Sequence, residues 1–588
     1  MGLESIYGTK LGGFTDTVAL GAVGASALLT SPFFAQVPIA ASLGLGFAGA
    51  GYLANRTFSY MKEKHLLDSK ISIESAASLT RPDGLLIGFT TDTGQPVYIP
   101  DEDLMRHGFI GGQSGVGKTV LGKLLMFQQI QRGGGLAFID GKLNSEDIET
   151  IYQYCCWCGR KQDFLVLNPG NPEMSNTWNP IIRGDPDEVS ARTLSLIPST
   201  NNSPGADHYR SSGNQGIATL VAALQAAGLA YNFIDLTVLL MNSKAIEDLE
   251  QRLKRDKPNH PATKAFSLFL EQYRGGNKPE LAHMVDTKKM RDTFGGLGGR
   301  MYMFGTGDFG RVLNSYTPDI DLFEAIKGNK IIYVALPTMG KKEAASALAK
   351  MFLGDLRTAI SWVQALPEGE RPNPAFFVFM DEVGSYATDA LSSPFEQARS
   401  AQIALWPACQ TLANLENVSP EFKEMVLGNT WFKIIFKIGT QKTAAEFSEL
   451  IGMQKTIARS LSKTYNESTN TQTLNLSPEG GAGSGAGMSV GEREEESFRV
   501  SPDELKALSK GECIVLYGGD EIYNVRVPMI RMSRKLTKEI GPVQLNHFRR
   551  TSVAGADFFK NSDQYLGANF VESAKKNSGK RQPELANE

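Results

Sequence analysis

A phosphate-binding signature constrains this chain of 588 residues more than any other feature. The pattern G-x-x-x-x-G-K-[ST] is matched at every position, by Gly112, Gln113, Ser114, Gly115, Val116, Gly117, Lys118 and Thr119. A short apolar stretch precedes it and residues 120–130 are apolar at helical spacing, which is the strand–loop–helix context that the pattern requires. In such a loop Lys118 reaches the β- and γ-phosphates and Thr119 ligates Mg²⁺. The sequence therefore predicts a P-loop that binds ATP and Mg²⁺.

An acidic motif supplies the second half of such a site. Residues 375–380 are an unbroken apolar run, as expected of a strand buried on both faces, and Asp381 and Glu382 follow it directly. At the end of this strand Asp381 would hold Mg²⁺ through water, and Glu382 would polarise the attacking water. Together with the P-loop, the acidic pair predicts ATP hydrolysis.

Two further candidates surround the next apolar run. Residues 403–409 predict a strand that ends at Gln410, and Arg399 lies just before it. In ring ATPases with a RecA-like sheet, a glutamine at this place contacts the γ-phosphate, and an arginine of a neighbouring subunit stabilises the transition state. We therefore treat Gln410 and Arg399 as candidate catalytic residues. The alternatives are a loop amide for Gln410 and a solvated helix charge for Arg399.

The N-terminal region predicts contact with a membrane. Residues 17–55 contain no charged side chain, and because one span needs about 20 apolar residues, the stretch is long enough for two. Pro32 lies where the hairpin would turn, and Lys10 and Arg56 on its flanks favour both ends in the cytoplasm. The sequence thus predicts a multi-pass protein of the bacterial inner membrane with its ATPase domain in the cytoplasm. A cleaved signal peptide and a buried apolar hairpin are the alternatives.

Charge and cysteine content narrow the partners. The net charge of −3 gives no global indication of nucleic-acid binding, although residues 251–300 and 531–588 carry local excesses of +6 and +5. These segments could contact phosphates, or they could be solvated faces. Five cysteines exclude a disulfide scaffold, and Cys155, Cys156 and Cys158 have no partners at zinc-site spacing.

The order of several further segments resembles the type IV coupling proteins of the TraG/TraD class, the membrane ATPases of conjugation and type IV secretion. The segments are residues 138–142, 164–169, 177–180, 331–337 and 512–517. The resemblance implies an α/β fold: a RecA-like P-loop NTPase sheet with an inserted all-α domain and an N-terminal transmembrane hairpin. It also implies a homo-hexamer that works with type IV secretion channel components, a relaxase or adaptor, and single-stranded or double-stranded DNA. The hairpin departs from the family pattern because it leaves almost no periplasmic domain.

The predicted layout has seven parts. They are a short cytoplasmic N-terminus (1–16), the two-helix transmembrane hairpin (17–55), a juxtamembrane linker (56–100), the first part of the nucleotide-binding domain (101–183), an all-α insertion (184–300), the second part of the nucleotide-binding domain (301–530) and a basic, partly disordered tail (531–588). The glycine-rich residues 295–299 are expected to end the insertion as a flexible segment, and residues 480–487 to form a flexible loop.

The function that best fits these features is a ring ATPase that couples single-stranded DNA, with its attached relaxase, to a secretion or conjugation channel. A coupling ATPase that recognises protein effectors is one alternative, and an FtsK-like DNA pump is another. The pump is disfavoured because the sequence after Met529 is short for a linker and a winged-helix domain together. A non-catalytic scaffold is disfavoured because Lys118, Thr119, Asp381 and Glu382 are all present.

Overall fold

The computed structural model describes residues 70–142, 144–196, 204–275, 284–336, 342–387, 391–467 and 484–547. The chain divides into two compact units. The first comprises Met1–Phe436 and Lys510–Glu588, and the second comprises Lys437–Ser509.

Fifteen strands are formed in the part of the chain that the structure describes. They are β1 (Lys70–Ser72), β2 (Gly84–Thr90), β3 (Pro96–Pro100), β4 (Gly108–Gly111), β5 (Leu136–Asp140), β6 (Phe164–Leu167), β7 (Ile331–Ala335), β8 (Phe376–Asp381), β9 (Ile403–Cys409), β10 (Phe432–Phe436), β11 (Met453–Glu467), β12 (Ser484–Phe498), β13 (Glu512–Tyr517), β14 (Glu521–Arg526) and β15 (Met529–Arg531).

Eleven of these strands form one sheet, in the order β3-β2-β14-β13-β10-β4-β9-β8-β5-β7-β6. The seven strands from β10 to β6 are parallel to one another, whereas every pair from β3 to β10 at the other end is antiparallel. Strands β4 to β9 of the parallel part are buried at every residue, which explains why they are continuous apolar runs. The predicted α/β fold with a large, mostly parallel sheet is confirmed.

Helices connect the strands of this sheet. In the first unit they are Ile73–Ser78, Asp101–Leu104, Lys118–Gln131, Ser145–Trp157, Pro186–Leu194, Pro204–Ala226, Phe233–Met241, Ser243–Asp256, Pro261–Glu271, Thr287–Gly305, Gly307–Leu313, Leu322–Lys327, Lys342–Gln364, Ser392–Gln397, Ala413–Glu416, Pro420–Asn429 and Arg534–Ile540. Eight of them lie between β6 and β7, and the first seven, from Pro186 to Leu313, form a helical insertion.

The glycine-rich residues 295–299 differ from the sequence expectation. They lie inside the helix Thr287–Gly305, which packs against Phe233–Met241, and they do not form a flexible end. A Cβ atom added at Gly298 would lie 2.3 Å from Cε of Met241. Glycine is therefore needed here because two helices approach each other closely.

Both ends of the first unit also differ from the predicted layout. Strands β2 and β3, expected in a separate linker, join the main sheet through the pairing of β2 with β14. Of the predicted tail, residues 531–547 are described: β15 pairs with β1 and the helix Arg534–Ile540 follows. The remainder of the tail lies outside the described residues.

The second unit holds a helix, a long hairpin and a short helix. The helix Gln441–Ile451 leads into β11, which pairs antiparallel with β12 from Met453↔Phe498 to Glu467↔Ser484. Residues 484–487 of the expected glycine-rich loop therefore belong to β12. The final helix, Pro502–Ala507, begins with a reciprocal cap in which Ser501 Oγ accepts from the Glu504 backbone N–H.

The predicted multi-pass location in the inner membrane requires correction. None of the helices in the described ranges combines the length and the apolar character that a membrane crossing needs. The helix Lys342–Gln364, for example, has 23 residues but carries charged side chains along its length. The prediction is therefore wrong for the part of the chain that the structure describes. The predicted hairpin, residues 17–55, lies outside that part.

A buried carboxyl group in the helical insertion predicts how stability depends on pH. Burial raises the pKa of Asp235 to about 8, although its carboxylate accepts a hydrogen bond from the Tyr316 hydroxyl at 3.1 Å. An unfolded aspartate titrates near pH ~3.9, so the folded state binds one more proton between these values. The stabilising contribution of Asp235 is present below about pH 4 and is lost as pH rises towards 8.

We therefore expect Asp235→Asn to flatten the fall in unfolding free energy between pH 5 and 8. In the wild type, Asp235 should lower the free energy of unfolding by about 1.4 kcal/mol for each pH unit in this range. Urea unfolding at several pH values measures it. Asp292→Asn, at an exposed aspartate of the same insertion, is the control. Parallel pH profiles for wild type and Asp235→Asn would contradict the prediction.

Candidate nucleotide-binding site

The P-loop connects β4 to the helix Lys118–Gln131, as the sequence predicts. Gly112 has φ of 153°, and a Cβ atom there would lie 2.7 Å from Cβ of Phe436, so only glycine fits this first position of the loop. The carbonyl of Val116 accepts from the Gly511 backbone N–H at 2.8 Å. The loop is therefore supported by residues that come far later in the chain.

Lys118 is folded back over the loop. Its ammonium donates to the carbonyl oxygens of Gly112 and, at 3.1 Å, Gln113, and the residue is only 3% exposed. Burial lowers the pKa of Lys118, and the nearby carboxylates of Glu382 and Asp381 partly oppose this change. The ammonium thus lies inside the loop that the pattern assigns to phosphate.

The order of the strands brings Asp381, Glu382 and Gln410 together with the P-loop at the carboxyl ends of the parallel strands. Strand β9 lies between β4 and β8, so Gln410 follows a strand flanked by the P-loop strand and the strand that ends in Asp381. The Thr119 hydroxyl donates to Asp381 Oδ2 at 3.2 Å, and Gln410 Nε2 donates to Glu382 Oε1 at 2.9 Å. These contacts bring Thr119, Asp381, Glu382 and Gln410 into one site.

Glu382 has an unusual backbone conformation. Its φ of 52° lies in the left-handed region, which is uncommon for residues other than glycine and asparagine, and its N–H donates to Asp381 Oδ1 at 3.0 Å. Burial raises the pKa of Asp381, whereas for Glu382 the hydrogen bonds from Lys142 and Gln410 outweigh burial and lower the pKa. Glu382 is therefore held ionised at the mouth of the site.

Lys142 is the site residue that sequence reasoning missed. Its ammonium lies 2.8 Å from Glu382 Oε1 and 3.5 Å from Asp381 Oδ2. The signal was present, because β5 ends in Asp140 as β8 ends in Asp381, and these two residues are register partners. Parallel neighbours that end together place the residues after them at the same edge.

Asp140 fixes the backbone that carries Lys142. Its buried carboxylate accepts from the backbone N–H of Lys142 at 2.8 Å, from that of Asn144 at 2.8 Å and from the Tyr333 hydroxyl at 2.6 Å. Three hydrogen bonds satisfy the charge of Asp140. The carboxylate is therefore used for structure and not for a ligand.

The donors at this edge fit Mg²⁺ with a nucleotide. Thr119 and Asp381 offer the hard oxygen ligands that Mg²⁺ prefers, and no group of three or more His, Cys, Asp or Glu side chains forms a metal site elsewhere in the described ranges. The hydroxyl of Tyr386 is buried beside Asp381 and Asp140 and has no hydrogen-bond partner among the described residues. Mg²⁺ held by two side chains would take its other ligands from phosphates and water.

Arg399 lies near the amino-terminal ends of the parallel strands, whereas the P-loop and the acidic pair lie at their carboxyl ends. It is exposed and precedes β9, whose first residue, Ile403, pairs with Phe376 at the start of β8. Its charge acts instead on His107, before β4, where burial and, to a lesser degree, Arg399 lower the pKa to about 4. The structure therefore does not bring Arg399 to the site of its own chain.

The P-loop follows β4, the acidic pair lies at the end of β8, and Gln410 follows β9, the strand between them. This arrangement is typical of P-loop nucleotide-binding folds. Comparisons with known proteins narrow this class. A family model described as the TraM recognition site of TraD and TraG matches residues 375–510, which include Asp381, Glu382 and Gln410.

One curated relative and two solved structures agree with this match. The type 4 coupling protein DotL of Legionella pneumophila is 22% identical over 393 residues, which cover 59% of this chain and 49% of DotL. This chain thus spans about half the length of that relative. The unbound bacterial conjugative coupling protein TrwBdeltaN70 has a TM-score of 0.52 at 16% identity, covering 81% of this chain and 95% of the chain in that structure. TrwB in complex with ADP and Mg²⁺ has a TM-score of 0.50 at 15% identity, covering 79% and 94%.

At these identities the two structures show a shared fold. The family model, the curated relative and the shared fold all point to the type IV coupling proteins, so the resemblance predicted from the motifs is confirmed.

Proposed function

We propose that the chain is an ATPase that couples a substrate to a type IV secretion or conjugation channel. The observation that carries the proposal is the convergence of Lys118, Thr119, Asp381, Glu382 and Gln410 at one edge of a sheet whose fold is shared with a conjugative coupling protein. A chain that merely retained a nucleotide-binding fold would not need all five.

Each side chain has a distinct task in hydrolysis. Residues 112–119 hold the phosphates of ATP, and Lys118 neutralises charge on the β- and γ-phosphates. Thr119 and Asp381 would hold Mg²⁺, and the bound ion would supply Lewis-acid stabilisation. Glu382 orients the attacking water, and Gln410, already hydrogen-bonded to Glu382, contacts the γ-phosphate and responds to its loss.

The proposed substrate is single-stranded DNA with an attached relaxase, moved by a homo-hexamer. The helical insertion carries exposed lysines, including Lys257, Lys264 and Lys288, within the segment of local charge +6. Such side chains suit contact with a phosphate backbone without selecting a sequence. An adaptor or channel component would then receive the substrate.

Hydrolysis by the purified full chain, with and without single-stranded DNA, tests the proposal. We expect a several-fold stimulation that weakens with salt, because phosphate contacts release counterions. The triple variant Lys257→Glu, Lys264→Glu and Lys288→Glu should lose stimulation but keep its basal rate. Lys327→Ala, at an exposed ion pair with Glu370, is the control. Basal hydrolysis that no DNA changes would contradict the DNA substrate and favour protein effectors.

A further inference from the structure

We propose that the Lys142 ammonium neutralises the carboxylates of Asp381 and Glu382 in place of a metal ion. It must then move away from Asp381 when Mg²⁺ and a nucleotide bind. The inference rests on the proposed function, since it concerns the same ATP site. It assigns to Lys142 the role of a positioning residue that sets how strongly nucleotide binding depends on Mg²⁺.

Two carboxylates and two lysines determine the charge at this edge. Asp381 and Glu382 are adjacent carboxylates, and Lys142 lies within ion-pair distance of both, at 3.5 Å and 2.8 Å. Lys118 is the other cation of the site, but its ammonium is bonded to the carbonyls of the loop. Without Lys142, the two carboxylates would repel an incoming triphosphate through a medium that screens poorly.

Competition follows from the shared oxygen. Asp381 Oδ2 accepts from the Thr119 hydroxyl and also faces the Lys142 ammonium. Thr119 and Asp381 are also the two residues that would hold Mg²⁺. A divalent ion at Thr119 and Asp381 and an ammonium 3.5 Å from Asp381 Oδ2 would repel each other, so one displaces the other.

The local structure allows the Lys142 side chain to leave without moving its backbone. The side chain is 40% exposed, whereas the Lys142 N–H is fixed to the buried carboxylate of Asp140. The flexible stem of a lysine can therefore turn towards solvent or phosphate.

Release of Lys142 would also free the catalytic carboxylate. Glu382 Oε1 accepts from both Lys142 Nζ at 2.8 Å and Gln410 Nε2 at 2.9 Å. An oxygen that accepts two hydrogen bonds has little capacity left for a water molecule. Release of Lys142 would therefore return one acceptor site on Oε1 to water, in addition to the sites of Glu382 Oε2.

The test measures binding of a fluorescent ADP analogue to the full chain, once with excess Mg²⁺ and once with EDTA. We expect Lys142→Ala to weaken binding in EDTA, because repulsion by the carboxylates is no longer offset. Binding with Mg²⁺ should be unchanged or tighter, because no cation has to be displaced. The ratio of the affinities with and without Mg²⁺ should rise about two- to fivefold, as expected for losing one partly exposed charge contact.

Two variants control this experiment. Lys142→Arg keeps the cation and should retain a ratio near wild type. Lys327→Ala removes a lysine of similar exposure, 41%, from an ion pair of 3.0 Å with Glu370, and should change nothing. An unchanged or reduced ratio in Lys142→Ala would overturn the inference, a reduced one showing that Lys142 acts on the bound phosphates. If wild type bound no nucleotide under either condition, the proposed ATPase function itself would fail.

Discussion

Lys118→Ala should abolish ATP hydrolysis by this chain while its fold remains intact. Among the described residues, the ammonium of Lys118 donates hydrogen bonds only to the loop carbonyls, so it is placed to meet phosphate and does not join two parts of the core. Removing a preorganised charge from a phosphoryl-transfer site costs about 10²–10³-fold or more in rate. Steady-state phosphate release measures the loss, and thermal unfolding checks the fold.

Two further variants each remove a charge from the site but keep most of the side-chain volume. Lys118→Met keeps most of the aliphatic stem in the buried position and should be as inactive as Lys118→Ala. Glu382→Gln keeps the shape of the side chain but removes the carboxylate, so ATP should bind and persist unhydrolysed. Turnover like that of wild type in both Lys118 variants would show that the loop does not form the hydrolytic site.

The second large effect is expected at Arg399. Because Arg399 is exposed at the edge opposite the P-loop, it can serve hydrolysis only in the site of a neighbouring copy. The developing charge on the γ-phosphate requires a cation besides Lys118, and an arginine finger contributes about 10³–10⁵-fold in rate. Arg399→Ala should therefore bind ATP with nearly normal affinity and hydrolyse it very slowly.

Mixing the Arg399→Ala and Lys118→Ala variants provides the decisive measurement. An interface that pairs an intact Lys118 with an intact Arg399 regains both groups, so activity should return in part. If the mixture stays inactive although the two variants co-assemble, Arg399 does not act between subunits. Full activity of Arg399→Ala alone would identify it as a solvated charge.

The central strands of the fold could be predicted from the sequence because buried parallel strands are continuous apolar runs. Strands β4, β8 and β9 coincide with the apolar runs that precede the P-loop, Asp381 and Gln410, respectively. The order of the strands could not be predicted, since Thr90 of β2 pairs with Val525 of β14 far along the chain. Composition misled where glycine serves close packing, as at Gly298.

The candidate site was predictable where a motif fixes the chemistry. The P-loop and the acidic pair follow from residue types and spacing, and the structure brings Thr119 and Asp381 together. Lys142 escaped notice because its importance depends on β5 lying beside β8, which is a property of the sheet and not of local sequence. For Arg399 a single chain provides no partner site, so its role stays a prediction.

The antiparallel end of the sheet determines when the first unit can finish folding. Strand β10 is paired with β13 on one side, and β2 and β3 join the sheet only through β14. A nascent chain emerging from the ribosome therefore leaves β2 and β10 with unpaired edges until residues 512–526 have been synthesised. Open edges in a partly made chain promote aggregation, and pairings between distant segments form slowly. The helices of the insertion pack mostly against one another, so the insertion can fold during synthesis, whereas the nucleotide-binding sheet requires the chain up to residue 526.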